Sequence, residues 1–231
     1  MRRRRILLLL LAVALVAVVF HGFLLRGVGA WLVVDDDLSS AFGGDLDVAL
    51  MVVSGDQAPK VAGRLRLSDE SLRCLLYSGW PYRTEQLGVT PSGSAIGEQE
   101  LIKEGFGDDQ ITILDGVAGM SRWEHVQQWM NDHPKTALVL LCDEFSSRGV
   151  RSQAGRWLSR SVLARIRFHP IPDRRYGKAD WWKNRLGIRH VSACYLSLVF
   201  AALNSDRPES VYRNPDEYED WFLASVGLEG R

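Results

Sequence analysis

Four consecutive arginines, Arg2 to Arg5, lead into an unbroken apolar run from Ile6 to Phe20. The run is 15 residues long, and with His21 and Gly22 tolerated it extends to Leu25. About 20 apolar residues at 1.5 Å each cover a hydrocarbon core of roughly 30 Å. No polar stripe interrupts it, as one would in a helix packed on a soluble core. The segment therefore reads as a membrane anchor held in the bilayer through residues 6–25. A cleaved signal peptide is the competing reading, because Val28-Gly29-Ala30 offers small residues for cleavage. Arg26 and the length of the run favour the anchor. Basic residues stay on the cytoplasmic side, so either reading exports the rest of the chain. The expected location is the cytoplasmic (inner) membrane, single-pass, with the C-terminal domain periplasmic or extracellular.

The 231 residues carry 28 bases and 28 acids. Five of those bases and none of the acids lie in residues 1–30, which leaves the remainder five charges negative. That balance excludes a typical nucleic-acid binder, which shows a basic excess. Cys74, Cys142 and Cys194 are too few and too scattered for a disulfide framework or a zinc cluster. No metal site and no particular cofactor is expected.

Beyond Trp31 short apolar runs alternate with amphipathic stretches. Val48–Val53 and Ala137–Cys142 are fully apolar runs of the kind that suits strands buried on both faces of a parallel sheet, and Ile111–Leu114 reads as another clear strand. Val162–Phe168 could be a fourth. Leu65, Leu72, Leu75 and Leu76 fall near helical spacing and suggest one helix ending at Gly79 and Pro81. Ser94 would cap a helix to about Glu104. Ser121 and Glu124 form a capping box. A further helix carries Val150, Ala154, Trp157 and Leu158. An expected strand near residues 82–93 is hard to find. Asp180–Lys183 and Val191–Leu203 read as closing helices; the latter, 13 residues, is too short to span a bilayer and is assigned to the core. The pattern predicts a doubly wound α/β fold with a mainly parallel sheet, Rossmann-like and three-layered, behind an N-terminal transmembrane helix. The expected division is 1–30 anchor, 31–204 α/β domain and 205–231 acidic tail.

In such a sheet, ligands bind beyond the carboxyl ends of the strands, where helix N-termini favour anions. Three loops qualify. Ser54-Gly55-Asp56-Gln57 follows the first strand, and Asp115 to Ser121 the second. Asp143-Glu144-Phe145-Ser146-Ser147-Arg148-Gly149 follows the third. Arg148 could contact an anion, Gly55 could admit close backbone approach, and Ser54, Ser121, Ser146 and Ser147 could donate hydrogen bonds. Glu124 joins Ser121 either in a site or in the capping box alone. Asp56, Asp143 and Glu144 are the candidate acid/base groups. Cys142 ends a buried strand and reads as a core residue. No G-x-S-x-G elbow, P-loop or H-E-x-x-H motif is present.

These loops, in this order, resemble the YdcF/SanA-like family of bacterial membrane-anchored domains of unknown function. The similarity runs from about Gly29 to Asn204. It rests on Gly29 to Asp35, Asp47 to Gly55, Gly105 to Leu114, Ser121 with Glu124, Leu138 to Arg148, and Trp181-Trp182 with the helix after Val191. The chain departs from the family in having Ser54-Gly55-Asp56 where two glycines are common, and serine at 146 or 147 where a histidine is frequent. The resemblance implies a role in envelope biogenesis or barrier maintenance. Three activities remain open: binding a small anionic ligand, a hydrolase or transferase acting on an envelope precursor, and a non-catalytic scaffold for a protein partner.

Overall fold

The structure is a computed structural model that describes residues 21–42, 46–79, 85, 87, 89–116 and 121–203. The run Ile6–Phe20, most of residues 80–88 and the tail from 204 lie outside the described residues, and with them most of the expected transmembrane segment and the acidic tail.

Helix α1 occupies residues 21–32, and a short turn, α2, spans Ser39–Phe42. The body then runs β1 (Asp47–Val52), α3 (Ala58–Arg66), β2 (Arg73–Ser78), α4 (Gly93–Lys103) and β3 (Ile111–Asp115). It continues with α5 (Arg122–Asp132), β4 (Thr136–Asp143), α6 (Ser147–Trp157), α7 (Arg160–Leu163) and β5 (Ile166–Ile171). A 3₁₀ turn at Trp181–Lys183 leads into α8 (Arg185–Leu203). The five strands form one all-parallel sheet in the order β3-β2-β1-β4-β5, an α/β, Rossmann-like arrangement.

Alternation along the strands builds a core on each face of the sheet. Ala49, Met51, Leu75, Leu138 and Leu140 pack under α5 and α6, against Trp123, Val126, Met130 and Ala154. Val48, Leu50, Cys74, Leu76 and Leu141 face α3 and α4, against Ala58, Ala62 and Leu101. β4 shows why Ala137 to Cys142 are uniformly apolar: Thr136 to Cys142 are all buried. A third cluster joins Leu32, Phe145, Tyr176, Trp181 and Val191, and docks α1 and α8 onto the sheet's carboxyl end.

Four expectations are corrected. Leu72, Leu75 and Leu76 do not continue the helix of Leu65. α3 stops at Arg66, Asp69 accepts hydrogen bonds from the Ser71 backbone N–H and hydroxyl at 2.9 and 2.6 Å, and the chain re-enters as β2. Such an aspartate turn breaks a helix by offering the backbone a competing partner. Arg73–Ser78 is therefore a strand between β1 and β3, while most of residues 82–88, where a strand is expected, lie outside the described residues. Ser92, and not Ser94, caps α4, accepting the Ala95 N–H at 3.1 Å. The last strand is Ile166–Ile171, with Val162 buried in α7. Finally, Val191–Leu203 is core along one side only: Val191, Cys194, Tyr195 and Leu198 join the third cluster, while Leu196, Val199, Phe200 and Leu203 are exposed. It belongs to a 19-residue helix of which only Gly187 and Val191 are fully buried.

Cys74 and Cys142 are completely buried, and burial pushes both thiols up to about 12. The reactive form is the thiolate. Cys194 is partly exposed, and burial pushes its thiol up to about 11, so a thiol reagent at pH 8 is expected to modify Cys194 slowly and Cys74 and Cys142 only after unfolding, access making the difference. Peptide mapping of the labelled chain distinguishes the three; native-state labelling of Cys142 would contradict its placement.

Candidate functional site

From β1 the chain moves outward through β2 to β3, then returns to the other side of β1 to add β4 and β5. The carboxyl ends of β1 and β4 therefore part at a topological switch point, where a crevice forms without any residue being removed from the sheet. A cleft of about 810 Å³ opens there. Its lining comes from the β1 loop (Ser54, Gly55, Asp56), the end of β4 (Asp143, Ser146), Arg122 at the start of α5, Asp173 to Tyr176 after β5, and His190 of α8.

Gly55 has φ of +108°, a conformation that side chains disfavour, while a Cβ placed there would meet nothing closer than 3.7 Å. The glycine is required by the turn and not by crowding. It carries Ser54 under β4, where the Ser54 hydroxyl accepts the Asp143 N–H at 3.1 Å. Ser146 donates its hydroxyl to the Asp143 carbonyl at 3.1 Å and lies 3.4 Å from the Ser54 hydroxyl. Each hydroxyl has one proton. Ser146 directs its own to the Asp143 carbonyl, and at 3.4 Å the contact between the two hydroxyls is long, so the Ser54 proton is the one nearer to hand for a ligand.

Asp143 is the centre of the site. One carboxylate oxygen accepts the N–H groups of Phe145 and Ser146 at 3.0 and 3.3 Å and lies 3.2 Å from His190 Nε2. Burial raises its pKa; His190 and the two N–H groups oppose that rise without cancelling it. The other ring nitrogen of His190 meets the Tyr176 hydroxyl at 3.0 Å, and the edge of the ring faces Phe145. An Asp–His–Tyr chain thus crosses the cleft floor from β4 to the β5 loop through α8. On the rim, Arg175 grips Asp173 with two hydrogen bonds of 2.9 and 2.7 Å, which holds the Asp173 carboxyl below its ordinary range. Arg122 and Arg174 add positive charge to the same lining.

Of the residues singled out from sequence, Ser54, Gly55, Asp56, Asp143 and Ser146 come together here. The others do not line the cleft. Ser121 and Glu124 cap α5 reciprocally, at 3.3 and 2.6 Å. Ser147 is fully buried. Its hydroxyl accepts the Val34 N–H at 2.8 Å and lies within donating distance of the Glu144 and Leu32 carbonyls, stapling the segment after α1 to α6. Arg148 stacks 4.3 Å above Trp31 and donates to the Trp31 carbonyl. Glu144 is buried beside Lys178, and burial raises its pKa. Arg122, Arg174, Arg175, Tyr176 and His190 were missed. A correct end for β5 would have exposed the Asp173–Tyr176 loop, since the strand-end rule then selects it. Nothing local marks His190.

No family model and no curated protein matches this chain.

Proposed function

We propose that the cleft binds a small anionic ligand, in a membrane-anchored protein of the cell envelope similar to the YdcF/SanA type. The observation that carries this reading is the charge arrangement at the switch point. Asp173 is paired with Arg175, and Asp143 with His190, while Arg174 and Arg122 add positive charge to the same lining as Asp56. A ligand with a phosphate or carboxylate finds guanidinium groups at the rim and the backbone of the β1 turn below. The anchor and outward orientation follow from the arginine block and apolar run of residues 2–25, and α1 is the helix that continues it into the domain.

The test uses the full chain in detergent micelles with inorganic phosphate, a nucleoside diphosphate and a polyprenyl phosphate, read by calorimetry. At least one should bind, and Arg174→Ala should weaken it by about tenfold, which is about 1.4 kcal/mol. Arg148→Ala should leave affinity unchanged. Equal losses in both variants, or no binding by any of the three anions, would defeat the proposal.

The second reading is an enzyme acting on an envelope precursor, and the Asp143–His190–Tyr176 chain favours it. Both ring nitrogens of His190 are engaged, so His190 could exchange a proton with substrate only after one partner yields. Asp143 and Asp56 are the other candidate bases. Turnover by the full chain, lost in Asp143→Asn, would select this reading over simple binding.

A further inference from the structure

Among the described residues, α8 alone is long and apolar enough to cross a bilayer by length and composition. Its placement argues against crossing. Gly187, His190 and Val191 are held against the domain, His190 by Asp143 and Tyr176. The part without charged residues or histidine, from Val191 to Leu203, covers about 20 Å, short of the roughly 30 Å of a hydrocarbon core. Yet its outer side is far from polar. Leu196, Val199, Phe200 and Leu203 recur at i, i+3, i+4 and i+7, which makes one stripe, and they are 69, 55, 60 and 79% exposed. Toward the start of the helix the same side carries Arg185 and Arg189, and α8 has no acidic residue.

Three observations point to lipid as what covers the stripe. α8 packs on α1: Tyr195 donates to the Val28 carbonyl at 2.7 Å, the Tyr195 and Trp31 rings stack at 5.5 Å, and Trp181 donates to the Leu25 carbonyl at 3.0 Å. α1 is the direct continuation of the apolar run Ile6–Phe20, and it exposes Phe23 and Leu24 itself. The tryptophans and tyrosine that join the two helices are the residue types that sit at membrane interfaces, as are the basic residues at the head of α8.

We propose that α8 is a second membrane contact, lying in the bilayer interface with Leu196, Val199, Phe200 and Leu203 among the acyl chains and Arg185 and Arg189 at the headgroups. The proposal rests on the reading of residues 6–25 as a membrane anchor, and not on what the cleft binds.

The full chain, with Cys194→Ser and a single labelling site, is placed in nanodiscs of phosphatidylglycerol and phosphatidylcholine. Phe200→Cys, Arg189→Cys and Lys103→Cys each carry the same environment-sensitive dye; Lys103 is exposed at the end of α4. Lipids with a nitroxide on the acyl chain should quench the dye strongly at 200, less at 189 and not at 103. Co-sedimentation of the full chain with the nanodiscs reports the anchor separately from quenching at 200. Equal quenching at 200 and 103 overturns the proposal. So does a dye at 200 shielded from both iodide and nitroxide lipid, which means that another part of the chain covers the stripe. Disulfide-linked dimers of unlabelled Phe200→Cys, formed in the absence of lipid quenching, would instead assign the stripe to a second copy.

Discussion

Valine at Gly187 is expected to cost about 3 kcal/mol or more and to break the contact between His190 and Asp143. A Cβ at this position would strike the Trp181 carbonyl oxygen and come within 3.0 Å of the Trp181 carbonyl carbon and Cα. These are backbone atoms, which cannot rotate aside as a side chain can. Trp181 is itself pinned, because its N–H donates to the Gly177 carbonyl and its indole to Leu25. Gly29 is equally crowded from the other side, with a Cβ there 2.6 Å from the Trp181 indole nitrogen. The strain must therefore move α8, and His190 lies less than one turn beyond Gly187. Chemical denaturation measures the loss, and nitrogen-detected NMR of the imidazole reports the altered ring environment. Gly149→Ala in α6 is the control: nothing lies within 4 Å of its Cβ, and it should gain about 0.5–1 kcal/mol. Wild-type stability in Gly187→Val would mean that α8 is not seated on the 3₁₀ turn as described.

The sheet was largely legible because a doubly covered parallel strand leaves a signature that survives without context. Val48–Val53 and Ala137–Cys142 are continuous apolar runs and mark the central strands β1 and β4; Ile111–Leu114, interrupted by Thr112, is the half-buried edge strand β3. β2 was misread although Cys74, Leu75 and Leu76 form a continuous apolar run. The leucines at 65, 72, 75 and 76 fall near a helical period, and the break at Asp69 depends on a side-chain turn that periodicity does not encode. α8 failed for the opposite reason. Its apolar residues are real, but hydropathy does not tell a side facing a core from a side facing away, and Val191 and Leu203 differ only in what lies next to them.

The site divided along the same line. Ser54, Gly55, Asp56 and Asp143 were found because the strand-end rule needs only the strand's last residue. Ser147 and Arg148 belong to the same loop, yet the first turn of α6 points them away from the cleft, toward Val34 and Trp31. Direction around a helix start is a matter of one or two residues of phase. His190 lies 47 positions from Asp143 on another element, and their pairing is set by tertiary packing alone.

That pairing yields the second large effect. Asp143→Ala should cost about 2–3 kcal/mol, because the Phe145 and Ser146 N–H groups and His190 lose an acceptor together. Asp143→Asn keeps an oxygen for both N–H groups and should retain most of the stability. The two proteins should nevertheless differ in their pH dependence. Burial is the largest influence on Asp143 and raises its pKa above the ordinary 3.8, so the unfolded chain ionises first. Wild-type stability relative to Asp143→Asn should accordingly fall as pH rises from 3.8 toward the native titration point, then level off. Melting temperatures of both proteins across that range measure the difference. A wild type that gains on the Asn variant over the same interval would show that His190 and the two N–H groups outweigh burial. The sign bears on ligand binding as well. An ionised Asp143 repels an anion that Arg174 attracts, so phosphate affinity should rise as pH falls toward the Asp143 titration point, and Asp143→Asn should remove that part of the dependence.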